Sequence, residues 1–269
     1  MEARREIKFK SPSFSERLKG MLGVDFYRLF HTPMFYIFLF IAAIIPALVS
    51  MGGGEGASMY TTAWQIIAAS DPLYVIESIA DYANMNMVFI FGGIMVSVFI
   101  GHDYKSGYVK QLFTTHAKKQ DYMISKSIVC AFAMACMCIT YLIGGTVSGL
   151  LSGLSLEVNV SSLIIAILSK MVMSFGWASL YTFLNVIYRR YFGVSIASSF
   201  FFGTGILIIG AAAVLGNSPT LNIFLYGSSV YACLSSTPLT FVVCLVCSVV
   251  WAIIYNLLGT HILNKSDVY

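Results

Sequence analysis

Between Tyr191 and Asn264 the chain carries no Asp, Glu, Lys or Arg. Soluble domains hold about a quarter of their residues as charges, so this stretch has no face to present to water. The remainder behaves similarly: 58% of residues are hydrophobic, 10% are charged, and mean hydropathy is +0.81. One soluble core cannot hide that much apolar surface. The composition defines an all-α integral membrane protein.

A bilayer core is crossed by roughly 20 apolar residues in a helix. Windows of that kind fall at 34–51, 84–101, 127–151, 160–188, 191–215 and 239–262, which predicts six transmembrane helices in a single domain spanning residues 1–269. Charge is sorted between the connecting segments. The basic residues outside the spans lie in segment 1–33, in loop 102–126, at Arg189-Arg190 and at Lys265, whereas the alternate loops hold Glu55, Asp71, Glu77, Asp81 and Glu157. The positive-inside rule then places both termini in the cytoplasm. Segment 1–33 has no apolar core or cleavage site of a signal peptide, so the first span is expected to stay in the chain.

Ahead of the first span, Phe14, Leu18, Leu22, Phe26, Leu29 and Phe30 recur at helical spacing, with Glu16, Arg17, Lys19, Asp25 and Arg28 elsewhere around the wheel. Ser13 and Glu16 fit a capping box and Pro33 marks the end, which predicts an interfacial elbow helix. Two ridges of small residues, Gly145/Gly149/Gly153 and Ser195/Ser199/Gly203, are built for close helix approach, either within the chain or between subunits. The uncharged segment 216–238, bounded by Pro219 and Pro238, suits a re-entrant hairpin between the fifth and sixth spans. The other outer element is 52–83.

Several chemistries lack their residues. A carrier driven by an ion gradient needs ionisable groups at membrane depth, yet no acid lies within a predicted span and Lys170 is the single charge there. Lys170 either faces a polar cavity or snorkels to the surface. No nucleophile with a base, carboxylate pair, metal-ligand set or Walker A motif is visible, so neither catalytic function nor metal is expected in this chain. Cys244 and Cys247 have CxxC spacing inside an uncharged span and are read as packing residues. No nucleic-acid partner is expected.

The remaining polar feature is the loop "GHDYKSGYVKQLFTTHAKKQDYMISK" at 101–126. Within it, Tyr108 and Leu112 form one helical ridge and Val109 and Phe113 the next, with Lys105 and Lys110 on the wet side. So short a helix is marginal alone. It either lays its apolar face in a partner's groove or remains a solvated loop whose lysines meet membrane lipid.

The elbow "VDFYRLFHTPMFYI", the second span running into this loop, and six spans with a long outer hairpin before the last resemble the membrane (permease) subunit of type 2 ATP-binding-cassette exporters. Asp103, Gly107, Lys119 and Lys126 stand where that family often has an acid, a glycine, a basic residue and a lysine opening the third span. The family usually has arginine at the position of Lys119. The resemblance implies a cell-membrane permease that works with a separate ABC ATPase subunit, which would hold ATP and Mg, and with a second permease copy or sister permease.

It further implies that the loop helix is a coupling helix, with ATPase contact assigned to Asp103, Gly107, Tyr108, Leu112, Phe113, Lys119 and Lys126. The elbow contributes Asp25, Phe26, Arg28 and Leu29. Asn84, Asn86, Phe89, Lys170, Phe200 and Phe201 would line a translocation path suited to an amphipathic or hydrophobic cargo such as a peptide, drug or lipid. The alternatives are a non-transporting membrane anchor or assembly protein, and a secondary carrier.

Overall fold

The computed structural model describes residues 12–51, 79–114, 117–151, 160–216, 223–234 and 237–265, and among them there is no strand. Side chains at 46–51, 79–86, 148–150, 206–216 and a few isolated positions lie outside that description. So does most of the outer element 52–83, together with parts of 216–238.

The elbow α1, Phe14–Phe30, begins where Ser13 and Glu16 cap each other: the Ser13 N–H donates to Glu16 Oε2 at 2.7 Å, and Ser13 Oγ accepts from the Glu16 N–H at 3.4 Å. The Ser13 backbone N–H first, and then the Ser13 hydroxyl donating to Oε2 at 2.9 Å, hold the Glu16 carboxyl below its ordinary pKa. Pro33 then opens α2, Pro33–Met51, at a position where a helix has no use for the missing N–H. The two axes meet at 65°.

There follow α3 (Ile79–Lys105), the loop helix α4 (Tyr108–Thr114), α5 (Lys119–Leu151), α6 (Val160–Ile187), α7 (Phe192–Gly216), α8 (Leu225–Leu234) and α9 (Pro238–Lys265). Each apolar window read from the sequence lies on one of these helices. Among the described residues, Met87–Lys105, Lys119–Val147, Leu163–Ile187 and Pro238–Lys265 are long and apolar enough to cross a membrane, and the bent α1–α2 pair would make a fifth span. The described apolar stretch of α7, Phe192–Gly205, is shorter.

Helices in lipid gain little from hydrophobic burial against one another, so close packing must hold them together. A Cβ on Gly144 would stand 2.1 Å from the Ala43 carbonyl oxygen, so α5 meets the backbone of α2 there. The Ser195/Ser199/Gly203 ridge packs within the chain: a Cβ on Gly203 would lie 3.1 Å from Ile90 Cα of α3 and 2.9 Å from the Tyr181 hydroxyl. The centre is aromatic, with Trp177 stacked on Phe89 at 5.7 Å between ring centroids.

The short α8 is seated in the bundle by side-chain hydrogen bonds. Trp177 Nε1 donates to Ser229 Oγ at 2.8 Å, and the Tyr226 hydroxyl donates to the Phe202 carbonyl at 2.9 Å. Cys244 and Cys247 are buried, and the Cys244 thiol donates to the Ser228 carbonyl at 3.6 Å.

Candidate functional site

Among the described residues, the ion-paired charges collect at one end of the bundle, where α1, the end of α3, the loop helix and the start of α5 converge. Asp25 of α1, Asp103 of α3 and Lys126 of α5 are fully buried. Lys126 Nζ lies 2.7 Å from Asp25 Oδ1 and 2.5 Å from Asp103 Oδ2. Arg28 Nη2 donates to Asp103 Oδ1, while its Nη1 stands 3.9 Å from Asp25. Ser125 Oγ donates to Asp25 Oδ2 at 2.7 Å.

Two acids and two bases thus neutralise one another in a region where an isolated charge would cost several kcal/mol. Three chain segments far apart in sequence are tied at one point. A second tie, Arg17 Nε to Asp121 Oδ2 at 2.7 Å, pins the other end of the elbow to α5.

The loop helix closes over this cluster. Gly107 makes the turn into it with φ +73°, a left-handed conformation that glycine enters without a Cβ clash. Tyr108 then lays its ring 4.0 Å from the Arg28 guanidinium carbon and 5.6 Å from Lys126 Nζ. Burial first, and then the Asp25 carboxylate, raise the Tyr108 hydroxyl above its ordinary pKa, so the ring stays neutral over the cations. Val109 is buried in a small core with Met21, Tyr122, Met123, Val186 and Leu263, and Leu112 and Phe113 pack at its edge. Phe113 meets Tyr122 edge to face at 5.7 Å.

The residues singled out in the sequence therefore divide. Asp25, Arg28, Asp103, Lys126 and Tyr108 come together in the cluster, and Leu29 and Phe26 pack beside it, Phe26 edge to face with Phe132 at 5.2 Å. Lys119 Nζ donates to the Leu263 carbonyl at 2.6 Å, fastening the start of α5 to the end of α9. Asp103, Lys119 and Lys126 are thus engaged within the chain. The apolar ridge of the loop helix, anticipated as a surface for a partner, is half-seated on its own bundle. Lys110, Gln111 and Thr114 form the exposed face of the loop helix, and Lys105 and Ser106 are exposed just before it.

Among the described residues, the path residues do not share one surface. Phe89 is in the core at 2% exposure, whereas Phe200 and Phe201 lie on the outer surface of α7 at 48% and 73%. Asn84 and Asn86 are on α3, with side chains outside the described residues. Lys170 is buried within α6.

A neutral polar seam that sequence reasoning missed joins α3, α6 and α7. Ser97 Oγ donates to Ser199 Oγ at 2.7 Å and accepts from Asn185 Nδ2 at 3.0 Å. Among the described residues no three His, Cys, Asp or Glu side chains are placed to hold a metal ion. Comparison of the sequence with protein-family models and with curated proteins returned no match.

Proposed function

We propose that this chain is the permease subunit of an ATP-driven exporter of the ATP-binding-cassette class, powered by a separate ATPase subunit. The observation that carries this reading is the buried Asp25–Arg28–Asp103–Lys126 cluster beneath the loop helix. It makes the elbow, the loop helix and the ends of α3 and α5 one mechanical body, so a push on the loop helix reaches two membrane helices without loss in flexible chain.

In this reading the chain has six spans and a re-entrant outer hairpin in the cell membrane, and both termini and the loop helix face the cytoplasm. The ATPase subunit, with ATP and Mg, sits against the exposed Lys105, Lys110 and Gln111 face and the half-exposed flanks of Tyr108, Leu112 and Phe113. Gly107 sets the helix angle, and Asp103, Lys119 and Lys126 anchor it from within. A second permease copy or sister permease completes the conduit, and the soft aromatic surface of α7, including Phe200 and Phe201, suits an amphipathic cargo.

The test is purification from native membranes in mild detergent. ATPase activity should elute with the chain, and it should leave the Lys110→Glu, Gln111→Glu variant while that variant still elutes as a folded protein. A wild-type chain that elutes without ATPase activity would instead be an anchor or assembly protein.

A further inference from the structure

A cavity of about 280 Å³ lies in the bend between α1 and α2, against the end of α3. The buried part of its lining is wholly apolar: Leu29, Phe35, Met95 and Phe99, none more than 6% exposed. Four polar side chains complete the lining, and three of them are engaged within the protein. The Arg28 guanidinium is turned to Asp103, Asp25 and the Tyr108 ring, inside a cluster of two acids and two bases. Thr32 Oγ1 donates to the Arg28 carbonyl at 2.7 Å, and His31 Nδ1 meets the Tyr27 carbonyl at 2.8 Å. The fourth, His102, is exposed. Such a lining favours hydrocarbon and gives the charge of a headgroup nothing to pair with.

The dimensions fit one chain. Along α3 the wall runs from Met95 through Val98 and Phe99 to His102, positions that share one helix face and cover about 10 Å at 1.5 Å per residue. An extended hydrocarbon advances ~1.2 Å per bond, as an extended backbone does over the three bonds of a residue, so this wall matches about eight carbons. At ~30 Å³ for a group the size of a water molecule, the volume of about 280 Å³ holds about nine. Length and volume agree on a single file of methylenes. The lining also runs out to the bilayer: Pro33 and Met34 are exposed, Ile37 continues their surface one turn along α2, and Phe30 is exposed with its ring 5.8 Å from that of Phe35.

We propose that this cavity is a binding slot for one acyl chain of a membrane phospholipid, taken without regard to headgroup charge. The carbons next to the glycerol lie toward His31 and His102, and about the eighth reaches Met95. Lipid tails are as apolar as the slot, so burial as such gains nothing in a bilayer. The chain is held instead by dispersion contacts along walls spaced to its own width. Because the slot lies inside the 65° bend and touches α1, α2 and α3, its occupant braces the elbow against α3. This site requires only that the protein is embedded in a membrane and stands independently of any ATPase partner.

The test is photolabelling of the full chain in proteoliposomes, with phosphatidylcholine carrying a diazirine about eight carbons from the ester of one acyl chain, read residue by residue by mass spectrometry. Met95 and Phe35 are each 3% exposed, so a lipid that merely surrounds the protein does not reach them, whereas Val246 and Val250 of α9, at 58% and 47%, are open to any bilayer lipid. All four should be labelled in the wild type. Val98→Trp, which fills the slot, should lose the label at Met95 and Phe35 and keep it on α9. Met34→Trp, at an exposed position of the lining, takes its place if Val98→Trp does not fold. Phosphatidylglycerol with the same probe should label Met95 and Phe35 to the same extent, relative to α9. The proposal is overturned if Met95 and Phe35 stay unlabelled in the wild type, if the filled chain keeps their label, or if the two lipids differ there.

Discussion

Two of the buried polar regions among the described residues solve opposite problems. At the charged end, four ionised side chains from α1, α3 and α5 share a pocket closed by the Tyr108 ring. In the bundle, Ser97, Ser199 and Asn185 join α3, α6 and α7 by neutral hydrogen bonds alone. The difference follows from what each alternative state would cost. A broken ion cluster leaves a buried charge, so the first region is an all-or-none clasp. A broken hydroxyl pair in lipid readily finds a backbone carbonyl within its own helix, so the second is a gentle, adjustable seam.

Substitutions should reproduce that ranking. The largest effect is expected from Lys126→Met, which leaves Asp25 and Asp103 facing Arg28 alone and should cost about 3–5 kcal/mol, read as a large fall in Tm in detergent. Adding Asp25→Asn should recover part of the loss. If Lys126→Met melts like the wild type, the clasp is not one.

Next comes Gly144→Ala, whose Cβ would stand 2.1 Å from the Ala43 carbonyl oxygen. Overpacking of this kind costs typically ~1–3 kcal/mol, and the damage should be confined to the α2–α5 contact. Gly107→Ala is cleaner, because no atom lies within 4 Å of the added Cβ and only the left-handed φ resists it. It should cost about 1–2 kcal/mol and loosen the loop helix selectively, seen as faster hydrogen exchange at Val109 to Phe113. The smallest effect should be Ser97→Ala at about 0.6 kcal/mol, the average for interhelical hydrogen bonds in a membrane. A loss as large as that of Lys126→Met would erase the contrast between the two regions.

The same contrast explains how far the sequence could be read. Apolar windows and caps are local signals, and the helices lie where those signals put them, down to the Ser13–Glu16 box and the break at Pro33. α5 starts at Lys119 rather than near 127 because a helix continues beyond its apolar window when its polar first turns find partners, here Leu263, Arg17 and Asp25. Those partners are the part that was not legible. Lys126 and Asp25, like Arg17 and Asp121, are about a hundred residues apart and share no periodic pattern.

The loop helix shows the same limit from another side. Its amphipathic spacing announces a buried face at Val109 and Phe113 but carries no label for what covers it, and the cover is the chain's own Tyr122, Met123 and Leu263. The Ser97–Asn185–Ser199 seam was invisible because small polar residues in an apolar helix look alike whether they pack, donate or face lipid.

The proposed exporter requires the loop helix to be the surface where a cytoplasmic ATPase meets the chain. Its most direct test is Lys110→Cys in a background without native cysteines, treated with a membrane-impermeant maleimide. The label should be refused in intact cells, accepted in inverted vesicles stripped of peripheral subunits, and refused again when the ATPase subunit is present. Labelling of intact cells, or equal labelling with and without that subunit, would contradict it.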